Sequence, residues 1–187
     1  MAKVVLTGDT MWGSKWLINL FIVAFLVILT GLFLPEEYEV ERSIEINAPA
    51  DKVYAAIVDL RKWEQWSTWY QMDPKAAMTY DGPDRAIGMR LRWSSDVLGR
   101  GTIEITSLQF NRQLVYSVDN PVHGIKAHGE LRLKPLESGT ELTWSSRGNV
   151  GVNIIDRYKL LFFDNKLGKD IQVGLENIKT LVENSMG

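Results

Sequence analysis

Few side chains in this sequence could do covalent or acid–base chemistry, and they stand apart. Two histidines are present. His123 lies in the turn-like stretch Asn120-Pro121-Val122-His123-Gly124, and His128 falls on the polar side of a strand-like segment. Imidazole can serve as a base near neutral pH, but neither histidine has Asp, Glu or another His at a metal-site spacing. Each therefore reads as solvated or locally bonded. The chain has no cysteine, which removes thiolate catalysis, Cys-ligated metals and a disulfide framework. A nucleophile would have to be Ser or Thr with a neighbouring base, and no serine sits in a nucleophile elbow. Asp96 and Asp119 fall in turns, where Asp serves the backbone.

The cations are more informative. Arg90, Arg92, Arg132 and Arg147 lie on or near strands with Glu104, Glu130 and Glu141 as available partners. They suit a wet outer face, where an ion pair contributes little. Arg42 differs, because its position in the alternation places it with Val40 and Ile44. An arginine there could pair with an anionic head group at the mouth of a pocket. These residues point to binding rather than turnover, and no catalytic set, cofactor or metal is expected.

The elements that would position these groups follow from the apolar spacing. Tyr38, Val40, Ile44 and Ile46 alternate with polar residues, as in a strand with one wet face. Ala48-Pro49-Ala50-Asp51 then starts a helix, with Pro in the first turn and an early carboxylate at the positive end of the dipole. The spacing of Trp63, Trp66 and Tyr70 predicts one face of a second short helix. From Ala76 to Ser146 the period is two, broken by turn residues, which predicts six strands of an antiparallel meander. After Asn153 the pattern is helical, with Phe163, Leu167, Ile171, Leu175, Ile178 and Val182 on one face. Gly168 and Gly174 interrupt that face. Each costs about 1 kcal/mol relative to Ala, which implies close approach to the sheet or room for a ligand. A twisted sheet with one amphipathic helix across its concave face buries both apolar surfaces and leaves space for a cavity.

Composition sets further bounds. A formal charge of −2 without a basic stripe argues against nucleic acid. The seven tryptophans are many for this length. Trp66, Trp69, Trp93 and Trp144 could be plain core, one end of a pocket, or side chains at a membrane interface.

The least ambiguous feature is the apolar run Trp16 to Leu34, closed by Pro35-Glu36-Glu37. It matches the roughly 20 residues a helix needs to cross a bilayer. It exceeds the apolar stretch of a signal peptide and lacks a small-residue cleavage site. Asn19, near its start, fits the interface or a hydrogen bond to a partner helix. Lys3, Lys15 and the amino terminus precede the run, and Arg42 follows, with Lys52 at the limit of the relevant window. This bias predicts a single-pass protein with a cytoplasmic N-terminus and the large domain outside the cytoplasm, periplasmic in a bacterium. The organisation expected is a tail over 1–15, a transmembrane helix over 16–34 and one domain over 36–187. The last is long enough for its own core.

Four stretches carry a family resemblance. They are Ile46-Asn47-Ala48-Pro49-Ala50-Asp51-Lys52-Val53-Tyr54; the Trp-x-x-Trp-Ser-x-Trp within Asp59 to Trp69; Gly88-Met89-Arg90-Leu91-Arg92-Trp93 with Gly101-Thr102-Ile103-Glu104-Ile105; and Gly168-Lys169-Asp170 through Gly174-Leu175-Glu176-Asn177-Ile178-Lys179. In this order they resemble the START-like superfamily, the polyketide cyclase and dehydrase group also called SRPBCC. The resemblance spans Tyr38 to Glu183 and does not include the apolar run. It implies an α+β helix-grip fold, here preceded by a transmembrane helix: a curved antiparallel sheet wrapped on a long C-terminal helix, with an apolar pocket between them. Members carry lipids, quinones, hormones or polyketides, and a minority are enzymes. The resemblance supplies no universal catalytic set.

The expected function is a membrane-anchored module that binds a lipid, an isoprenoid quinone or a similar apolar molecule. The alternatives are an accessory or assembly subunit of a membrane complex, contacting a membrane-protein partner through its transmembrane helix, and a cyclase- or hydrolase-type enzyme. The residues expected to line the pocket are Arg42, Trp66 and Trp69; Met89, Leu91 and Trp93; Ile103, Ile105, Tyr116 and Trp144; and Phe163, Leu167 and Ile171.

Overall fold

The computed structural model describes residues 10–122 and 124–186. His123 and the first nine residues of the expected tail lie outside them. The chain forms a seven-stranded antiparallel sheet in the order β1-β7-β6-β5-β4-β3-β2. The strands are β1 (Glu37–Ile46), β2 (Ala77–Asp81), β3 (Arg90–Ser95), β4 (Gly99–Gln109), β5 (Gln113–Asn120), β6 (Ile125–Leu136) and β7 (Gly139–Asn149). The helices are α1 (Thr10–Phe33), α2 (Ala50–Ile57), α3 (Thr68–Met72), α4 (Ile154–Leu160) and α5 (Phe163–Asn184). The long α5 packs along β1 across one face of the sheet, so the fold is the helix grip. A register shift between Ile105 and Ser107 in β4 bends the sheet around it.

The Trp-rich segment does not form one helix. A 3-10 turn, Leu60–Gln65, runs into a separate α3. The cause lies at the end of α2, whose last carbonyls have no partner within the helix. The Trp63 indole N–H donates to the Ile57 carbonyl at 2.8 Å, and that of Trp66 donates to Ala56 at 3.3 Å. Holding both indoles under α2 breaks the helical path at Trp66. Asp59 caps the turn, accepting from the Arg61 backbone N–H at 3.1 Å.

The C-terminal helical stretch also divides in two. Asn153 caps α4 by accepting from the Ile155 N–H at 3.0 Å. The chain then turns at Leu161-Phe162 before α5 begins. The buried face of α5 is Gly168, Ile171, Gly174, Leu175, Ile178 and Val182. A Cβ on Gly174 would stand 2.7 Å from the Trp144 ring, and one on Gly168 would collide with the Arg42 guanidinium. Both glycines therefore serve close approach of helix to sheet.

The helix α1 begins at Thr10, before the apolar run itself. Within it, Lys15–Phe33 has a mean hydropathy of 2.5 and is long and apolar enough to cross a membrane. Its apolar side chains are exposed, Phe21 by 73% and Phe25 by 63%, and Asn19 is exposed with them. Gly31 is buried, where α1 packs against α4.

Replacing Gly174 by Val forces two methyl groups against an indole that cannot retreat. The expected loss is about 1–3 kcal/mol, read as a lower denaturant midpoint for the full chain in mild detergent.

Candidate functional site

Cross-strand rows on the concave face explain what is hollow and what is filled. One row runs Tyr38, Gly148, Ala127, Val118, Ile103, Leu91, Tyr80. A neighbouring row, two residues nearer the β1 start, holds Ile125 paired with Asn120 and Trp93 paired with Gly101 and Met78. These two rows, the segment from Trp63 to Met72 and the first turns of α5 border an open cavity of about 350 Å³. Two residues the other way, the row Val40, Ser146, Gly129, Tyr116, Ile105 is packed except at Ser146, which still reaches the cavity.

The packed end is aromatic. Trp63 meets Tyr116 edge-on at 5.0 Å between centroids, Trp66 meets Trp144 edge-on at 5.5 Å, and Trp63 and Trp66 stand 4.9 Å apart. The Trp144 N–H donates to the Tyr116 hydroxyl at 2.9 Å. Burial pushes the Tyr116 hydroxyl well above the usual phenol range, so it stays protonated. Gly129 leaves the space that the Tyr116 ring occupies.

Six of the thirteen expected pocket residues are on the cavity wall: Trp69, Leu91, Trp93, Ile103, Phe163 and Leu167. Six others lie in the packed core instead: Trp66, Met89, Ile105, Tyr116, Trp144 and Ile171. They share the concave face but sit deeper along it. Arg42 is also placed differently from the expectation. Its Nη2 lies 3.0 Å from both carboxylate oxygens of Asp164, in the first turn of α5. Its charge holds that helix start against β1. The outer-face arginines pair as expected of a wet surface, Arg132 with Glu130 at 2.9 Å and Arg90 with Asp81 at 3.5 Å. His128 is exposed on β6. Among the described residues, no three His, Asp or Glu side chains gather as a metal ion would require.

The wall also includes residues the sequence reading passed over. Tyr38, Val118 and Ala127 follow from the same alternation as their neighbours. Ser146, Asn120 and the α5 pair Lys166 and Asp170 carry no local signal of their own. These last, with two tyrosines, are the polar features of an otherwise apolar space. The Tyr38 ring packs on Phe163 at 4.5 Å. Its hydroxyl is lifted above the phenol range by burial, against the pull of a hydrogen bond with Ser146. Tyr70 and Tyr80 share a hydroxyl hydrogen bond of 2.8 Å, and burial raises both. Asn120 is buried and donates to the Leu98 carbonyl at 3.0 Å. Burial also raises the Asp170 carboxyl, with Lys166 opposing. The arrangement offers hydroxyl and amide groups that could orient one polar end of a ligand inside apolar walls.

The family model described as polyketide cyclase / dehydrase and lipid transport matches residues 37–183. No curated protein matches the sequence. Among solved structures, a protein from Mesorhizobium loti is similar over 79% of this chain and 98% of its own, at 20% identity and a TM-score of 0.56. A protein of unknown function from Staphylococcus aureus covers 81% of this chain and 96% of its own, at 16% identity and a TM-score of 0.63. The Zhui aromatase/cyclase from a Streptomyces species covers 81% and 96%, at 16% identity and a TM-score of 0.59. At these identities the likeness is one of fold.

Asp170 gives a pH test. A folded-state pKa above the ordinary Asp value of about 3.9 means the native chain binds the proton more tightly than the unfolded one. The cost of ionising Asp170 is then fully present above its folded pKa and vanishes as pH falls below the ordinary value. Asp170→Asn is expected to be more stable than the wild type at neutral pH. That advantage should close on acidification, measured by thermal melts across pH.

Proposed function

The chain belongs to the polyketide cyclase / dehydrase and lipid transport family, and from that premise we propose that it is a membrane-anchored module. In this reading it holds an apolar molecule, or the apolar part of one, between the sheet and α5. The observation that carries the proposal is the open apolar cavity of about 350 Å³, at the lower end of the range typical of small-molecule sites. At about 30 Å³ for each water-sized unit, that space takes on the order of a dozen such units. A two-chain phospholipid does not fit whole. A quinone ring with its first isoprenoid carbons, or a compact fused-ring compound, suits the volume better.

Capture in this reading is by burial. Each ~100 Å² of apolar ligand surface removed from water favours binding by about 2.5 kcal/mol. Tyr38, Asn120 and Ser146 would orient the polar end. The helix α1 would keep the site at the bilayer surface and so raise its effective concentration toward a lipid-soluble ligand. We take the N-terminus as cytoplasmic and the domain as lying on the other side, from the flanking Lys and Arg residues.

Two experiments test this. Full-length protein extracted in mild detergent should yield a near-stoichiometric apolar compound by native mass spectrometry. Ala127→Leu, which grows into the cavity from the wall, should reduce that yield several-fold while leaving the melting temperature near wild type. A ligand-free wild type, or equal occupancy in the variant, would overturn the assignment. For topology, the sequence is free of cysteine, so Ser138→Cys in the exposed β6–β7 turn is a unique label. A membrane-impermeant maleimide should modify it in intact bacterial spheroplasts; labelling only after lysis would reverse the orientation.

A further inference from the structure

The sheet register gathers several loops at one end of the molecule. The start of β1 pairs with the end of β7, which pairs with the start of β6. The end of β5 and the start of β4 fall at the same level. Exposed apolar side chains at this end include Val97 in the β3–β4 turn, Val122 in the β5–β6 turn, Ile125 at the start of β6, and Val152, Ile155, Leu161 and Phe162 between β7 and α5. Val97 and Ile125 are also cavity wall residues, so the cavity's solvent-facing rim belongs to this end. Leu34 and Pro35 deliver the chain from α1 to β1 here as well.

The contact between α4 and α1 fixes how close this end stands to lipid. The Tyr158 hydroxyl donates to the Val27 carbonyl at 2.7 Å and meets the Thr30 hydroxyl. Arg157 reaches the Leu32 carbonyl at 3.2 Å and that of Leu34 at 3.4 Å, and pairs with Glu36 at 3.0 Å. A side chain on Gly31 would collide with Ile154 and come within 2.9 Å of Tyr158. Val27 is six residues short of Phe33, the end of the apolar span, which at 1.5 Å per residue is about 9 Å inside it. A helix bonded to α1 at these positions cannot stand off in water while α1 spans the bilayer.

We infer that α4 and the apolar turns beside it lie in the interfacial layer of the membrane that α1 crosses, and that the cavity opens onto lipid, so that its ligand enters and leaves through the bilayer. This rests on the reading of α1 as a span and of the cavity as a ligand site. The chemistry of α4 suits the placement. Ile155, Leu161 and Phe162 are exposed apolar groups, and interfacial helices bury such a face about 5–10 Å deep. Tyr158 has the amphipathic character of membrane-belt residues, and its hydroxyl is satisfied by a helix carbonyl. Lys159 is exposed and pairs with Asp156 at 2.6 Å, which puts the charged groups of α4 together on its polar side.

The test uses the full chain in phosphatidylcholine vesicles, with single cysteines carrying a nitroxide. Depth is read from collisions with oxygen, which concentrates in lipid, and with a nickel chelate, which stays in water. Ile155→Cys, Phe162→Cys and Val97→Cys should show nickel access several-fold below that of Phe110→Cys at the opposite end, with higher oxygen access. Ala24→Cys reports on the span itself. Water-like values at 155 and 162 beside a lipid-buried 24 would overturn the docking and leave the anchor standing. A water-exposed 24 would overturn both. Shielding from both reagents at 155 and 162 would mean a protein surface covers them, and would also overturn the inference. Gly31→Leu, which pushes α4 off α1, should raise nickel access at 155 and 162 several-fold with no change at 24. An unchanged profile would refute the α1–α4 contact as the device that sets depth. These readouts concern depth alone, so they separate failure of docking from failure of the cavity to hold a ligand.

Discussion

Everything that makes this fold a container depends on four aromatic rings that close one end of it. Trp63, Trp66, Tyr116 and Trp144 fill the deep end of the space between sheet and α5. Edge-on pairs of this kind contribute about 0.5–1.5 kcal/mol each beyond the area they bury. Their polar atoms would be costly if left unpaired in a dry interior. None of the three indole N–H groups is: Trp63 and Trp66 use the final carbonyls of α2, and Trp144 uses the Tyr116 hydroxyl. The same bonds therefore cap a helix, set two indoles and plug the sandwich. With the plug fixed, α5 cannot sink further onto the sheet, and the space toward the β1 start remains open.

Glycine and charge then set the tilt of α5 over that space. Gly174 rests on the Trp144 ring and Gly168 on the Arg42 guanidinium, so the helix lies as close to β1 as a backbone can. Arg42 spends its charge on Asp164 in the first turn of α5. The pair is partly exposed, so its worth in stability is small; its geometric effect is to hold the N-terminal end of the helix, where Phe163 and Leu167 form cavity wall. An arginine on the apolar face thus acts as a clamp beside the cavity rather than as a group inside it.

The connection between β7 and α5 has a separate task. A direct entry into α5 would have sufficed to cover the sheet. Instead α4 turns aside to bond with carbonyls near the C-terminal end of α1. Arg157 donates to the carbonyls of Leu32 and Leu34, where the helical ladder of α1 is running out of partners, and Tyr158 donates to that of Val27 a turn earlier. Arg157 also ties Gly151 and Glu36 to the same point, so α1 and the domain meet through one hydrogen-bonded junction.

The sequence alone determined which face each side chain takes. Alternation put Tyr38, Val40 and Arg42 together on β1, and Ala127, Gly129 and Leu131 together on β6, because the pleat allows two directions only. It also gave the helix face with Ile171, Leu175 and Ile178, and the length of the apolar run, because both are properties of neighbouring residues. It could not say how far along a strand the filling stops. Leu91 in β3 and Met89 just before it have the same parity and are both buried, yet only Leu91 borders the cavity. The filling beyond the cavity comes from Trp63 and Trp66, which arrive from another part of the chain and pack on Tyr116 and Trp144. The break at Trp66, the departure of α4 and the pairing of Arg42 with Asp164 were equally invisible to local pattern. The first is decided by carbonyls six and ten residues back in the chain, and the other two by partners more than 100 residues away that only the tertiary fold brings close.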